Sequence, residues 1–275
     1  NDTPELQLSL EATAFADTAS DDAFVPVMGT ILASDRDAIE IFILHPKDRV
    51  SEVQRRQMTT VPSANVHNVA IKGTFDDCQD LVKAMFNDRA FRDRHRLTAF
   101  NSINWARVMA QIVYYVTAAV ALGAPRRKIA FAVPTGNFGD AYAGYAASRM
   151  GLAVERLIVA TNRNDILARF FGSGVYRARK VVPTLSPSMD IQVSSNFERL
   201  LFDLCGRDGQ ATAALMDQFA ATGRFRLRLR QLAAARRIFR GARVSEAQTL
   251  AEIARTHRET GIVIDPHTAV ALAAA

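Results

Sequence analysis

The run Lys128-Ile129-Ala130-Phe131-Ala132-Val133, stopped by Pro134, constrains the fold more than any other stretch of this chain. A continuous apolar run without polar alternation reads as a strand buried on both faces, and such strands belong to parallel sheets covered by helices. The turn Thr135-Gly136-Asn137-Phe138-Gly139-Asp140 follows at once, then a helical stretch of small residues from Ala141 to Met150, closed by Gly151. Strand, glycine turn and helix in that order are half of a βαβ unit. The turn also has chemical meaning. Its glycines let backbone N–H groups converge, and the helix behind it adds the positive end of its dipole, so the turn suits a phosphate monoester. A Gly-x-x-Gly turn taken alone is equally a plain βα connection.

The same alternation recurs along the chain. Ile39 to Leu44 (ended by His45-Pro46), Asn65 to Ile71 and Arg156 to Ala160 read as further buried strands. Between them, Ser51 and Gln54 stand at capping-box spacing, Thr74 precedes the helical set Leu81, Val82, Met85 and Phe86, and Ser102 to Leu122 reads as a long helix closed by Gly123 and Pro125. This pattern predicts an α/β fold with mainly parallel sheets. Residues 1–35 are acidic and weakly periodic, and no element is predicted there. Arg224, Arg226, Arg228 and Arg230 alternate with Phe225, Leu227 and Leu229, which predicts a strand with one charged face, followed by a helix from Gln231 to Arg240.

A chain of 275 residues holds one large α/β domain or two smaller ones. Hydrophobic residues at 49% and charged residues at 23% leave room for a sizeable core and argue against disorder. The net charge of +6 is carried by arginine, since lysine occurs only as Lys47, Lys72, Lys83, Lys128 and Lys180. Such a balance attracts nucleic acid or phosphorylated metabolites. A nucleic-acid footprint would fall on Arg224 to Arg240 with Phe225 and Phe239 interleaved, and the competing reading is a solvated charged face. Cys78 and Cys205 make no disulfide framework. The longest apolar run, Ile112 to Leu122, is too short to span a bilayer, and the polar start lacks a signal-peptide pattern. A cytoplasmic location away from membranes is therefore expected. The histidines show no zinc-ligand spacing, so no metal is expected, and no Gly-x-Ser-x-Gly occurs.

A longer set of motifs is more specific than any of these features. Arg49-Val50-Ser51 and Gln54-Arg55-Arg56-Gln57-Met58-Thr59-Thr60 come first, then Gly73-Thr74-Phe75-Asp76-Asp77-Cys78 and Asn101-Ser102-Ile103-Asn104-Trp105-Ala106-Arg107. Val133 to Asp140 is next, followed by Ala160-Thr161-Asn162, Asn164-Asp165-Ile166-Leu167 and Ser186-Pro187-Ser188-Met189-Asp190-Ile191. Asn196-Phe197-Glu198-Arg199 and Asp265-Pro266-His267-Thr268-Ala269-Val270 complete the set. Across residues 38–275 and in this order, the chain resembles threonine synthases, pyridoxal-phosphate (PLP) dependent enzymes of fold type II, the tryptophan-synthase-β-like fold.

The resemblance implies two α/β domains with mainly parallel sheets, here incomplete, and a conversion of O-phosphohomoserine and water to threonine and phosphate. It implies that Gly136, Asn137, Phe138, Gly139 and Asp140 hold the cofactor phosphate and that Thr268 meets the pyridine nitrogen. Thr268 is equally readable as a helix N-cap after Asp265-Pro266. The resemblance further implies that Asn101, Ser102, Asn104 and Arg107 hold the substrate phosphate. Arginine can grip a phosphate bidentately, and Asn101 and Ser102 can cap a helix at the same time.

Two family motifs depart. The Ala-Phe-Lys-Asp motif, whose lysine bonds the cofactor, has its nearest match in Thr13-Ala14-Phe15-Ala16-Asp17, which puts Ala16 at the lysine position. The Ser-Gly-Asp-Thr-Gly loop has no counterpart between Asp21 and Asp37, where Met28 to Ser34 stands instead. A degenerate or missing N-terminal part is therefore expected, with residues 1–21 apart, a small domain over 22–105 and a large cofactor-binding domain over 106–275. Alanine cannot serve as the amine base that moves protons at Cα and Cβ. Activity is expected to be impaired unless Lys72 or Lys128 takes over. The alternatives are a non-catalytic PLP- or phosphometabolite-binding relative or fragment, and a basic nucleic-acid-binding α/β protein.

Overall fold

The computed structural model describes residues 12–17, 39–48, 50, 52–60, 63–73, 75–100 and 104–275. The chain divides after Asn104 into two units.

In the first unit, β1 (Ala12–Asp17), β2 (Ile39–Pro46), β3 (Val66–Ile71) and β4 (Leu97–Phe100) form one sheet in the order β3-β2-β1-β4. Every pairing is parallel, so the connections from β2 to β3 and from β3 to β4 are crossovers. Helices α1 (Glu52–Thr59), α2 (Phe75–Asn87) and α3 (Arg89–Arg94) lie in those crossovers. The apolar run of β2 is buried as expected: Ile41, Ile43 and Leu44 are all inside. Leu44 packs on Cys78 of α2, with Val82, Met85 and Phe86 around them.

Two strands of this sheet were not legible in the sequence. β1 is written in alanine, threonine and aspartate with a single phenylalanine, residue types of mostly weak strand propensity. Its place comes from pairing on both sides, with Ala12 to Asp17 in register with Ile39 to Leu44, and Thr13 to Ala16 with Leu97 to Phe100. β4 is only four residues long and follows the short helix α3, which Asp88 caps by accepting the Phe91 N–H.

The second unit is built on the parallel sheet β5-β6-β9, formed by Ile129–Pro134, Val154–Thr161 and Phe239–Arg243. β6 shows why a continuous apolar run means burial on both faces. Leu157 and Val159 enter one core cluster, whereas Ile158 and Ala160 enter the other. The larger cluster takes α4 (Trp105–Ala121), α5 (Gly139–Arg149), α6 (Ile166–Ser173) and α7 (Phe197–Leu204). The smaller one takes Val270 and Ala274 of α11 (Pro266–Ala274) together with Met189. The long helix expected over Ser102 to Leu122 is α4. It turns Val108, Ile112, Tyr115 and Ala119 inward and leaves Met109, Val113 and Val120 exposed. No helix among the described residues is long and apolar enough to cross a membrane.

The arginine-rich stretch differs from expectation. Its strand, β8, covers only Arg224–Arg226 and pairs antiparallel with β7 (Val175–Arg177). Arg228 already caps a helix, α9 (Leu229–Arg236), and the expected helix to Arg240 gives way to β9 at Phe239. Arg228 has left strand pairing, and the Gln231 side chain accepts its N–H at 3.0 Å, which opens the helix two residues early. Helices α8 (Gly209–Thr222) and α10 (Glu246–Thr260) complete the unit.

Helices α4 and α5 approach at a glycine. A Cβ on Gly144 would lie 2.6 Å from Tyr115 Cε1 and 2.9 Å from Leu157 Cδ2. Tyr115 is not free to yield, because its hydroxyl donates to the Asp140 carbonyl at 2.8 Å. Gly144→Ala is expected to destabilise the chain by about 1–3 kcal/mol through overpacking. A Cβ on Gly172, also helical, meets nothing within 4 Å, and Gly172→Ala is expected to be neutral or to stabilise by up to about 1 kcal/mol. Urea denaturation of both variants checks the contrast.

Candidate phosphate-binding site

The turn between β5 and α5 is stapled at both ends. The Thr135 N–H donates to the Ala160 carbonyl of β6 at 3.0 Å. The Thr135 hydroxyl donates to the Asp140 carboxylate, and the Ala141 N–H donates to the same oxygen at 2.6 Å. The buried phenol of Tyr115 holds the Asp140 carbonyl, and burial, with the Asp140 charge adding to it, pushes that phenol well above its ordinary pKa.

Phe138 lies at the centre of the turn with φ 66°, a left-handed backbone. For a residue with a side chain this costs about 1–2 kcal/mol. The ring is completely buried against Phe171, Phe197 and Phe239, with centroids 6.2, 5.6 and 5.5 Å away. Aromatic pairs of this kind contribute about 0.5–1.5 kcal/mol each beyond their buried area, enough to hold the strain. A left-handed residue at a helix start turns successive N–H groups to one side, the geometry of an anion nest. Phe138 is the N-cap of α5 and has no side-chain oxygen to offer the helix, so it does not compete with an anion there.

A second segment lies against this turn. A Cβ on Gly136 would be 3.0 Å from the Ser188 carbonyl and 3.2 Å from Met189 Cα, so glycine is what lets the two backbones approach. The Ser194 hydroxyl donates to the Gly136 carbonyl at 2.8 Å, and the Asn196 N–H donates to the Asn137 carbonyl at 3.0 Å. The Ser194 N–H itself donates to the buried Tyr176 phenol at 2.8 Å. Burial raises the pKa of that phenol strongly.

The segment is fixed in turn by Asp190. Its Oδ1 accepts from Asn162 Nδ2 and Asn164 Nδ2, both at 2.8 Å, and from Thr184 Oγ1 at 2.7 Å. Its Oδ2 accepts the Thr184 N–H at 2.8 Å. Burial raises the carboxyl above its usual range, and the bonds from Thr184 and Asn162 offset that in part. Asn162 and Asn164 sit just past the end of β6, so the strand end, the Asp190 segment and the glycine turn form one connected polar frame. The sequence contained Asn162, Asn164 and Asp190 in its motifs but gave no sign that they act together. The only available signal was two asparagines spaced two apart at a strand end.

The other expected site residues fall as follows. Gly136, Asn137, Phe138, Gly139 and Asp140 are one continuous turn, with Asn137 buried. Thr268 is in the first turn of α11, whose N-cap is Asp265, not Thr268. Asp265 takes that role because it accepts the N–H groups of His267 and Thr268 at 2.8 and 3.2 Å, and the Thr268 hydroxyl donates to its other oxygen. Burial works against the Asp265 charge, but the bonds from Thr268 and His267 hold its pKa below the usual range. Arg107 is buried in the first turn of α4, and Asn104 is half-buried just before it. Asn101 and Ser102 lie outside the described residues. Ala16 stands in β1, paired with Ile43 and Phe100. Lys128 precedes β5 while the turn follows it, so about six residues of strand, ~20 Å, separate them. That is beyond the reach of a lysine side chain. Lys72 is exposed.

The arginines at 224, 226, 228 and 230 are exposed, but Phe225 and Phe239 are both 1% exposed. No aromatic face interleaves with the charge, so the base-stacking half of a nucleic-acid footprint is missing from this stretch. Among the described residues no group of three or more His, Cys, Asp or Glu is placed to hold a metal ion.

Comparison with known proteins identifies the family. A family model described as pyridoxal-phosphate dependent enzyme matches residues 27–229, a segment that begins beyond Ala16. Threonine synthase of Pseudomonas aeruginosa is 58% identical over 239 residues, covering 87% of this chain and 51% of that protein. The enzyme of Saccharomyces cerevisiae is 44% identical over 252 residues, covering 86% and 49%. A crystal structure of PLP-bound threonine synthase from Brucella melitensis superposes with a TM-score of 0.86 at 50% identity, over 96% of this chain and 56% of that one. The chain thus spans about half the length of the relatives it matches.

The frame around Asp190 makes a specific prediction. Asp190→Asn keeps the shape but turns an amide N–H₂ toward groups that are already donors. A loss of about 1–3 kcal/mol in folding stability is expected, measured by urea denaturation at neutral pH. An unchanged midpoint would mean that the segment over Gly136 is held without Asp190.

Proposed function

The chain belongs to the family of pyridoxal-phosphate dependent enzymes, and from that premise we propose that it is a threonine synthase-like protein whose turn Gly136 to Asp140 holds the cofactor's phosphate. The observation that carries this reading is the left-handed, fully buried Phe138. A plain βα connection has no need of strain at that point, whereas an anion nest does. The residues present fit the phosphate end of the cofactor: a glycine that permits close backbone approach, a helix N-terminus beyond it, and a rigid second segment behind.

The substrate of this reading is O-phosphohomoserine, which with water gives threonine and phosphate. Arg107, with Asn101, Ser102 and Asn104, would supply charge and neutral donors for the substrate's phosphate. Thr268 would meet the pyridine nitrogen with its hydroxyl as the donor. PLP, when bound, supplies the electron sink that makes protons beside the amino-bearing carbon removable. The protein must still provide a base for those protons. Ala16 stands where the resemblance places the lysine, Lys128 is at the wrong end of β5, and proton transfer is therefore impaired in this reading. The same alanine is the reason to test a second reading, a relative that binds PLP without turning substrate over.

Equilibrium dialysis against PLP, borohydride reduction with peptide mapping, and phosphate release from O-phosphohomoserine separate these readings. Retention of PLP is expected, with retention by Gly136→Ala at least roughly tenfold weaker because its methyl group displaces the Ser188 backbone. A reduced adduct on one lysine peptide, together with phosphate release, would establish turnover. Retention without either would establish the binding relative. No retention by the unaltered chain would sink the proposal.

A further inference from the structure

Ser195 has a side-chain oxygen that is closed off from solvent and, among the described residues, meets no hydrogen-bond partner. Its position makes this informative. The residue before it, Ser194, is bonded through its hydroxyl to the Gly136 carbonyl and through its N–H to Tyr176. The residue after it, Asn196, is bonded through its N–H to the Asn137 carbonyl. Ser195 is therefore pinned on both sides to the two residues that open the phosphate turn. Leaving a buried hydroxyl unpaired is a standing cost, and alanine at the same position would avoid it. No described residue supplies a partner for this hydroxyl, which leaves it available to a bound ligand.

We propose that the Ser195 hydroxyl is a side-chain donor held for an oxygen of the phosphate monoester bound at Gly136 to Asp140. The proposal rests on the reading that this turn binds phosphate. Backbone N–H groups and a helix end attract an anion without fixing its rotation. A hydroxyl at the side of the turn adds a directional bond and sets how the phosphate sits. The ligand class is a phosphate monoester, with PLP as the probe and inorganic phosphate as its smallest analogue.

The test uses Ser195→Ala in the full chain, with two readouts: the urea midpoint without ligand, and the dissociation constants for PLP and for inorganic phosphate by titration calorimetry. The expected result is an unliganded variant at least as stable as the parent, with PLP and phosphate both bound roughly tenfold more weakly. Ser195→Cys, close in size but a weak donor, is expected to show the same ordering. A lowered midpoint with unchanged affinities would show that the hydroxyl serves the fold, and unchanged values in both readouts would show that it serves neither; either result overturns the proposal. If the parent chain binds neither PLP nor phosphate, the underlying reading of the turn fails, and the proposal falls with it. That case is told apart by the parent titration alone.

Discussion

Phe138 has to keep a left-handed backbone while its ring fills the centre of the larger core. These two demands would pull apart in a softer surrounding. They are compatible here because Phe171, Phe197 and Phe239 come from three different elements and close around the ring. The backbone strain and the aromatic packing are of similar magnitude, about 1–2 kcal/mol against about 0.5–1.5 kcal/mol for each ring pair, so several contacts are needed and several are present. The parallel sheet brings β9 with Phe239 alongside β6, and the two-stranded β7–β8 pair brings Tyr176 against Phe197 at 4.9 Å. The fold of the second unit can be understood as what this turn requires around it.

The polar frame behind the turn does a different task. Hydrophobic packing sets where Phe138 sits, but it does not fix the carbonyls of Gly136 and Asn137. Directional bonds do that, from Ser194 and Asn196, and Asp190 anchors their segment to the end of β6. In the proposed reading, holding the phosphate falls to residues of the second unit, whereas Ala16, the position the resemblance assigns to the base, lies in the first unit and offers no side-chain amine.

Much of this was legible in the sequence, for identifiable reasons. The apolar stretches of β5 and β6 stand out because core clusters lie on both faces of their sheet, and proline closes β2 and β5. The turn could be read because its chemistry and its place between strand and helix agree. β1 escaped because pairing on both edges lets alanine and aspartate occupy a strand that propensity would not choose. The stretch from Arg224 misled because alternation of arginine with apolar residues fits three residues of β8 and then continues by coincidence into the cap and first turn of α9. The sequence offered Thr268 as the helix N-cap, and only the folded chain shows that Asp265 accepts the N–H groups. The Asp190 frame joins residues far apart in sequence, and no local periodicity encodes such a contact.

The central claim is that the turn stabilises a phosphate monoester as its dianion. A free phosphate monoester takes up its second proton near pH ~6, and its phosphorus-31 resonance moves with that step. The measurement is a phosphorus-31 titration of PLP bound to the full chain from about pH 5 to about pH 8. A bound resonance that stays fixed across this range is predicted, because converging N–H groups and the α5 dipole hold the dianion. A bound resonance that titrates like free PLP would contradict the account, since it would place the phosphate in solvent and not in the turn.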